Sequence, residues 1–197
     1  MSHELDVPVF AEDNAHEQFI RAMLRRLAVE IGVRLNVNVV SARGGQGQAI
    51  SQFRLHQRAL EKQQQLGGML VVAIDANCRG WAETRTEIAG AIEEGLFIAH
   101  AIACPDPHIE RWYLADPESL TERFGGTIML PKKKCGRDVY KKLLRDWLTS
   151  AGEVVTLGGA EFAAEIVEVM DLYRACRDEP SLKSFVDSIR TCLKSQT

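Results

Sequence analysis

The clearest signal in the chain is a change of hydrophobic period. Met69-Leu70-Val71-Val72-Ala73-Ile74 is an unbroken apolar run, opened by Gly67-Gly68 and closed by Asp75. A run of that length and β-branched content predicts a strand buried on both faces, which requires a sheet covered by helices above and below. Val7-Pro8-Val9-Phe10-Ala11 predicts a second such strand, ending at Glu12-Asp13. From Asn14 the period becomes helical: Phe19, Ile20, Met23, Leu24, Leu27 and Ile31 recur at three- and four-residue steps, with Asp13 or Asn14 as cap and Gly32 as terminator. Residues 35–40 alternate apolar positions with Asn and suit a strand nearer the sheet edge. Residues 50–66 predict a polar, exposed helix, residues 82–94 an amphipathic one, and residues 97–104 a fourth strand stopped by Pro105-Asp106-Pro107. Strand and helix alternate through four strands, so the expected fold class is α/β, with a mostly parallel, Rossmann-like sheet of about four strands flanked by helices.

From His108 onward the strand pattern disappears. Residues 109–116 predict a short helix, Pro117 opens another, residues 138–148 are amphipathic, and two further helices are expected over residues 160–176 and 180–193. The expected organisation is an α/β core over residues 1–107 and a helical extension over residues 108–197 packed on it. Composition adds exclusions: 46% hydrophobic and 26% charged residues argue against disorder, and no apolar run approaches the ~20 residues of a membrane span. Residues 1–6 lack the basic and apolar blocks of a signal peptide, so the expected compartment is the cytoplasm. The five cysteines are scattered and never fall in a Cys-x-x-Cys pair, so free thiols are expected throughout, without a disulfide framework or zinc site. A net charge of −3 excludes a globally basic nucleic-acid binder, yet basic residues cluster in residues 43–62 and again in residues 132–145.

Both acid-tipped strands would deliver carboxylates to the carboxyl edge of the sheet, where open α/β folds gather ligands. Glu12 and Asp75, with Glu110 as a further acid, form an oxygen-only set that suits Mg²⁺ or Mn²⁺. An ion so held neutralises phosphate and activates water for in-line attack. Asn77, two residues beyond Asp75 on an extended chain, projects to the same side and adds a neutral ligand. The competing reading makes Glu12 and Asp13 helix caps and Asp75 a turn residue. Similar pairs of readings apply elsewhere. The loop Ser41-Ala42-Arg43-Gly44-Gly45-Gln46-Gly47-Gln48 is a phosphate cradle or a connector, and matches no nucleotide-binding fingerprint. Trp112 and Tyr113 stack on a nucleobase or fill the core. Lys132, Lys133, Lys134 and Arg137 grip phosphates or form a solvated loop. His16, His56, His100 and His108 have no companion at ligand spacing and receive no role.

At these residues the chain resembles the TOPRIM fold, with Val9-Phe10-Ala11-Glu12 similar to its first strand and glutamate and Val71-Val72-Ala73-Ile74-Asp75-Ala76-Asn77 to its Asp-x-Asp strand. More narrowly it resembles the small TOPRIM-like proteins of domain-of-unknown-function family 4276, relatives of the OLD-type nucleases. Pro105 to Asp116 is similar to that family's proline, glutamate, tryptophan, leucine, aspartate signature, Pro131-Lys132-Lys133-Lys134 to its Pro-x-Lys element, and Ser184-Phe185 to its C-terminal Ser-Phe. The resemblance covers most of the chain, and the Glu-Trp segment is its most specific part. It implies a Mg²⁺- or Mn²⁺-dependent nuclease acting on DNA or RNA, paired with an ABC- or AAA-type ATPase in antiphage defence. Glu12 would then be metal ligand or general base, Asp75 the principal metal ligand and Glu110 a further acid. Two departures stand out: Asn77 replaces the usual second aspartate, and Asp13 the usual glycine. Two rivals follow, a silent TOPRIM-like partner subunit that docks an ATPase or nucleic acid, and a receiver-like phosphoacceptor module. Against the second, Ala103-Cys104 stands where receivers carry Ser or Thr. A homodimer is left open.

Overall fold

The computed structural model of the chain describes residues 4–42, 48–62, 67–132, 135–136 and 138–195. Four strands form one all-parallel sheet in the order β2-β1-β3-β4, with β1 Glu4–Ala11, β2 Arg34–Ser41, β3 Met69–Ala73 and β4 Ala99–Ala103. The chain moves from β1 outward to β2, then crosses back over β1 to β3. The strand order therefore reverses between β1 and β3, and this is where such folds leave a crevice at the carboxyl edge.

Side-chain alternation explains both layers. Val7 and Val9 of β1, Met69, Val71 and Ala73 of β3, and Ala101 and Ala103 of β4 point to one face, where they meet Phe19, Ile20, Met23, Leu24 and Leu27 of helix α1, Asn14–Ile31. Phe10, Leu70, Val72, Ile74 and Ile102 point to the other face and meet Phe53 of α2, Ala49–Lys62, and Ile88 of α3, Trp81–Ala89. β3 is buried at every residue, as its unbroken apolar run requires. Gly68, just ahead of β3, runs so close to β1 that a Cβ there would lie 2.2 Å from the Asp6 carbonyl oxygen. Pro8 sits in β1 below the stretch that pairs with β3, which begins at Val9, so no ladder bond to β3 is lost to its missing N–H.

The remaining helices are α4 Glu110–Tyr113, α5 Pro117–Phe124, α6 Val139–Ser150, α7 Ala163–Val169, α8 Leu172–Asp178 and α9 Pro180–Lys194, with a 3-10 turn at Ala160–Phe162. All of them pack into the hydrophobic cluster that α1 shares with the sheet, and α9 lies along α1 and β4. The helical extension and the α/β core therefore share one interior. Residues 160–176, expected as one helix, are interrupted at Met170-Asp171, where the Asp171 carboxylate accepts from the Tyr173 and Arg174 amides and restarts the chain as α8. Asp116 and Arg174 pin this break to the rest: the guanidinium donates to both Asp116 oxygens at 2.9 and 3.2 Å, and the Asp171 amide donates to Asp116 at 2.7 Å.

The expectation of five free thiols is corrected. Cys78 and Cys135 form a disulfide with their Cα atoms 5.8 Å apart, although they lie 57 positions apart in the sequence. Local cysteine spacing carries no information about a pair that only the fold brings together. Cys104, Cys176 and Cys192 are free. No helix among the described residues is long and apolar enough to cross a membrane.

Candidate metal centre

The β1–β3 crevice gathers the acids. The chain leaves β1 at Ala11, and the Glu12 amide still donates to Ala73 of β3 at 2.9 Å, so Glu12 stands directly over the switch point. Its carboxylate accepts from the Asp75 backbone amide at 2.8 Å. Asp75 lies two residues past β3, with Ile74 held to Ala103 at 3.0 Å and Ala76 to Pro105 at 2.7 Å. Asp13 caps α1 as expected, accepting from the His16 amide at 3.0 Å, and Gly32 ends it in the left-handed conformation that glycine adopts without penalty. The cap therefore occupies only one of the two acids: Asp13 caps, while Glu12 faces Asp75.

His16 is the residue that sequence reasoning missed. One turn into α1 and completely buried, it places Nδ1 2.8 Å from Asp13 and Nε2 3.0 Å from Asp75. His108 approaches the other Asp75 oxygen through Nδ1 at 3.2 Å. Burial alone would suppress the charge on His16, but the Asp75 carboxylate and the hydrogen bonds to Asp13 and Asp75 outweigh it and push its pKa well above the ordinary imidazole range. Asp13 is held far below the usual carboxylate range because the His16 contacts overcome its own desolvation. The hydrogen bond to Asp75 raises His108 as well. Glu12 is pushed up, chiefly by burial and then by the neighbouring Asp75 charge, against the pull of His16. His16 and His108 thus face the two Asp75 oxygens, and that carboxylate favours the charged form of each.

Glu12, His16 and Asp75 each offer one ligand atom, and these atoms lie within 4.8 Å of one another. The set is two carboxylates and one imidazole rather than the oxygen-only set expected, a donor mix less suited to Mg²⁺, which prefers oxygen and water, than to a divalent ion that accepts nitrogen. An ion taken by all three atoms would displace the His16 proton, making affinity rise with pH. Asn77 lies beyond the end of β3 rather than on the extended chain expected of it. The expected extended chain ends at Ala73, Asn77 adopts φ 50°, and its amide nitrogen donates back to the Asp75 carbonyl at 3.3 Å.

Glu110 begins α4 and is nine-tenths buried; burial, with the nearby Asp75 and Asp13, raises its pKa. It lines a cleft of about 450 Å³ beside the acid group, together with Asp13, Asn14, Lys141, Thr156 and Leu157. Trp112 is fully buried against Phe185 and Phe19, with ring centroids 5.7 and 5.9 Å away, and its indole N–H donates to Ser181 at 2.9 Å, so it is a core residue. Tyr113 is also buried and donates its hydroxyl to the Ala15 carbonyl at 2.8 Å, which ties α4 to the first turn of α1. Lys132 is exposed. The expectations placed on Arg43, Lys133, Lys134 and Arg137 lie outside the described residues.

Fold and site together define an α/β protein with a carboxylate–histidine cluster at the switch point of a parallel sheet. No protein-family model, curated protein or solved structure matches the chain.

Proposed function

We propose that the chain is a divalent-cation-dependent phosphodiesterase acting on nucleic acid, a TOPRIM-like nuclease. The observation that carries the reading is the meeting of Glu12 and Asp75 at the β1–β3 crevice, joined by the 2.8 Å bond from the Asp75 amide and flanked by His16. Glu12 and Asp75, with His16 as a third donor, would hold Mn²⁺ or Mg²⁺, and such an ion supplies phosphate neutralisation and an activated water. The chain's own residues do the rest. His108 orients the Asp75 carboxylate; Glu110, whose pKa burial raises, lines the cleft as the group placed to give a proton to a leaving group. Lys141 on the cleft rim and the lysines at 132–134 would offset the acids toward a phosphate backbone. An ATPase partner and a place in antiphage defence follow from the sequence resemblance alone.

A silent partner subunit is the second reading, favoured by the neutral Asn77 in place of a second aspartate and by two imidazoles, His16 and His108, already seated on the Asp75 carboxylate. Two measurements separate them. Purified protein should cleave single- or double-stranded DNA or RNA with Mn²⁺ and lose at least 100-fold of that rate on Asp75→Asn, with circular dichroism unchanged. It should also melt higher with Mn²⁺, since ligand binding stabilises by mass action. No Mn²⁺ shift and no cleavage would establish the silent reading.

A further inference from the structure

We propose that Cys78–Cys135 is a thiol–disulfide exchange site that governs the loop carrying Asp75, and through it the cation affinity of the Glu12–Asp75 centre. The second half of this statement rests on the cation reading above; the first does not. Cys78 follows Asp75 by three residues, and the disulfide joins that loop to the segment just ahead of α6. The stretch between the two cysteines, which lie 57 positions apart, contains β4, His108 and Glu110. Oxidation therefore closes a covalent ring around three parts of the site.

The backbone at Cys78 has reason to move when that ring opens. Asn77 and Cys78 sit at φ 50° and 63°, a left-handed conformation disfavoured for residues with a Cβ. Such conformations persist where surroundings over-determine them. Here the restraints are the Ala76 amide on Pro105 at 2.7 Å, the Asn77 amide on Pro107 at 3.0 Å, the Arg79 amide on Ala76 at 3.0 Å, and the disulfide. Removing the covalent restraint takes away the tie anchored on Cys78 itself and leaves two consecutive disfavoured residues to non-covalent contacts, immediately downstream of Asp75.

Placement also makes this pair the reactive one. Cys78 is half-buried and Cys135 exposed, and neither belongs to a hydrophobic cluster, so a reductant can reach the sulfurs and the core does not depend on them. Cys104 is buried and its thiol pushed up to about 12, and Cys176, half-buried, is raised to about 11, which leaves both poor nucleophiles. The exchange needs a dithiol reductant. One of its thiolates attacks Cys135 Sγ, the S–S bond breaks, and Cys78 leaves as a thiolate that takes a proton. The reductant's second thiol then displaces Cys135 as a thiol. Two electrons pass to the cysteine pair and the reductant ends as its own disulfide; a glutathione-type disulfide drives the reverse.

The test uses the full chain, oxidised with glutathione disulfide or reduced with dithiothreitol, alongside Cys135→Ser. Thiols are counted after denaturation, Mn²⁺ is titrated calorimetrically, and amide exchange is followed over residues 74–80. Expected are three free thiols oxidised and five reduced, faster exchange at 74–80 on reduction, and Mn²⁺ affinity at least fivefold weaker. Cys135→Ser should behave as the reduced protein and ignore dithiothreitol. Five thiols after oxidation, or exchange at 74–80 unchanged by reduction, overturns the proposal whatever Mn²⁺ does. Equal Mn²⁺ affinity in the two forms overturns control of the centre. If neither form binds Mn²⁺ while exchange still changes, the cation reading has failed and the loop switch stands.

Discussion

Replacing His16 with alanine tests the electrostatic design of the centre most directly. His16 is completely buried, and its two ring nitrogens lie 2.8 and 3.0 Å from Asp13 and Asp75. In the metal-free protein its removal leaves the largely buried Asp75 carboxylate beside Glu12, with no fully buried cation between them. Breaking a buried pair in this way costs roughly 3–5 kcal/mol. For a chain of this size each kcal/mol moves Tm by roughly 2–4 °C, so His16→Ala should lower Tm by about 6–20 °C. The diagnostic is the size of a second substitution. In the wild-type background Asp75→Asn removes the anionic partner of His16 and should lower Tm; in the His16→Ala background the carboxylate keeps only His108, at 3.2 Å, so the same substitution should cost much less. The assay is thermal unfolding of the four proteins in chelator, followed by circular dichroism. A pH series adds a check. The folded pKa of His16 is raised, so its contribution is full below the unfolded value near 6.5 and is lost as pH rises through the folded pKa. The His16→Ala deficit should therefore shrink in alkaline buffer, not in acid. If Asp75→Asn acts equally in both backgrounds, to within ~0.5 kcal/mol, His16 is a neutral packed histidine and the argument fails.

Two further predictions concern the scaffold. Gly68→Ala would place a methyl group 2.2 Å from the Asp6 carbonyl oxygen, a backbone clash that no rotamer relieves, so β3 must shift against β1. Overpacking costs ~1–3 kcal/mol, and a clash against backbone falls at the upper end, so Tm should drop by roughly 6–12 °C; a Tm within 3 °C of wild type would show that the two strands are not so closely apposed. Asp116→Asn should lower Tm by ~3–12 °C at pH 7, from loss of charge-assisted hydrogen bonds worth ~1.5–3 kcal/mol. Burial opposes the charge on Asp116, but Arg174, Ser119 and the Asp171 amide outweigh it and depress its pKa. That stabilisation is present above the unfolded value near 3.8 and lost as pH falls through the folded pKa, so the Tm difference should close below about pH 4 and persist at neutral pH.

What the sequence determined by itself was whatever depends on near neighbours along the chain. The all-apolar run at 69–74 could only be a doubly buried strand, and it is. The helical period from Phe19 to Ile31, with Asp13 before it and Gly32 after it, placed α1 and both its caps. Acids at the ends of two parallel strands implied a shared edge, and Glu12 and Asp75 meet there. The tertiary structure alone decided which other groups join them. His16 lies 59 residues from Asp75, and no spacing rule links a histidine one turn into a helix to an acid beyond a later strand; the β1–β3 adjacency does. Cys78 and Cys135 are equally remote until the loops at the carboxyl edge converge. The backbone at Asn77 also departs from its sequence: an extended chain is expected there, but it turns left-handed after Asp75, and the side-chain amide donates to the Asp75 carbonyl. Periodicity reports which face a residue buries, because a helix or strand repeats. It is silent about which loops meet, because that is settled by the order in which strands add to the sheet.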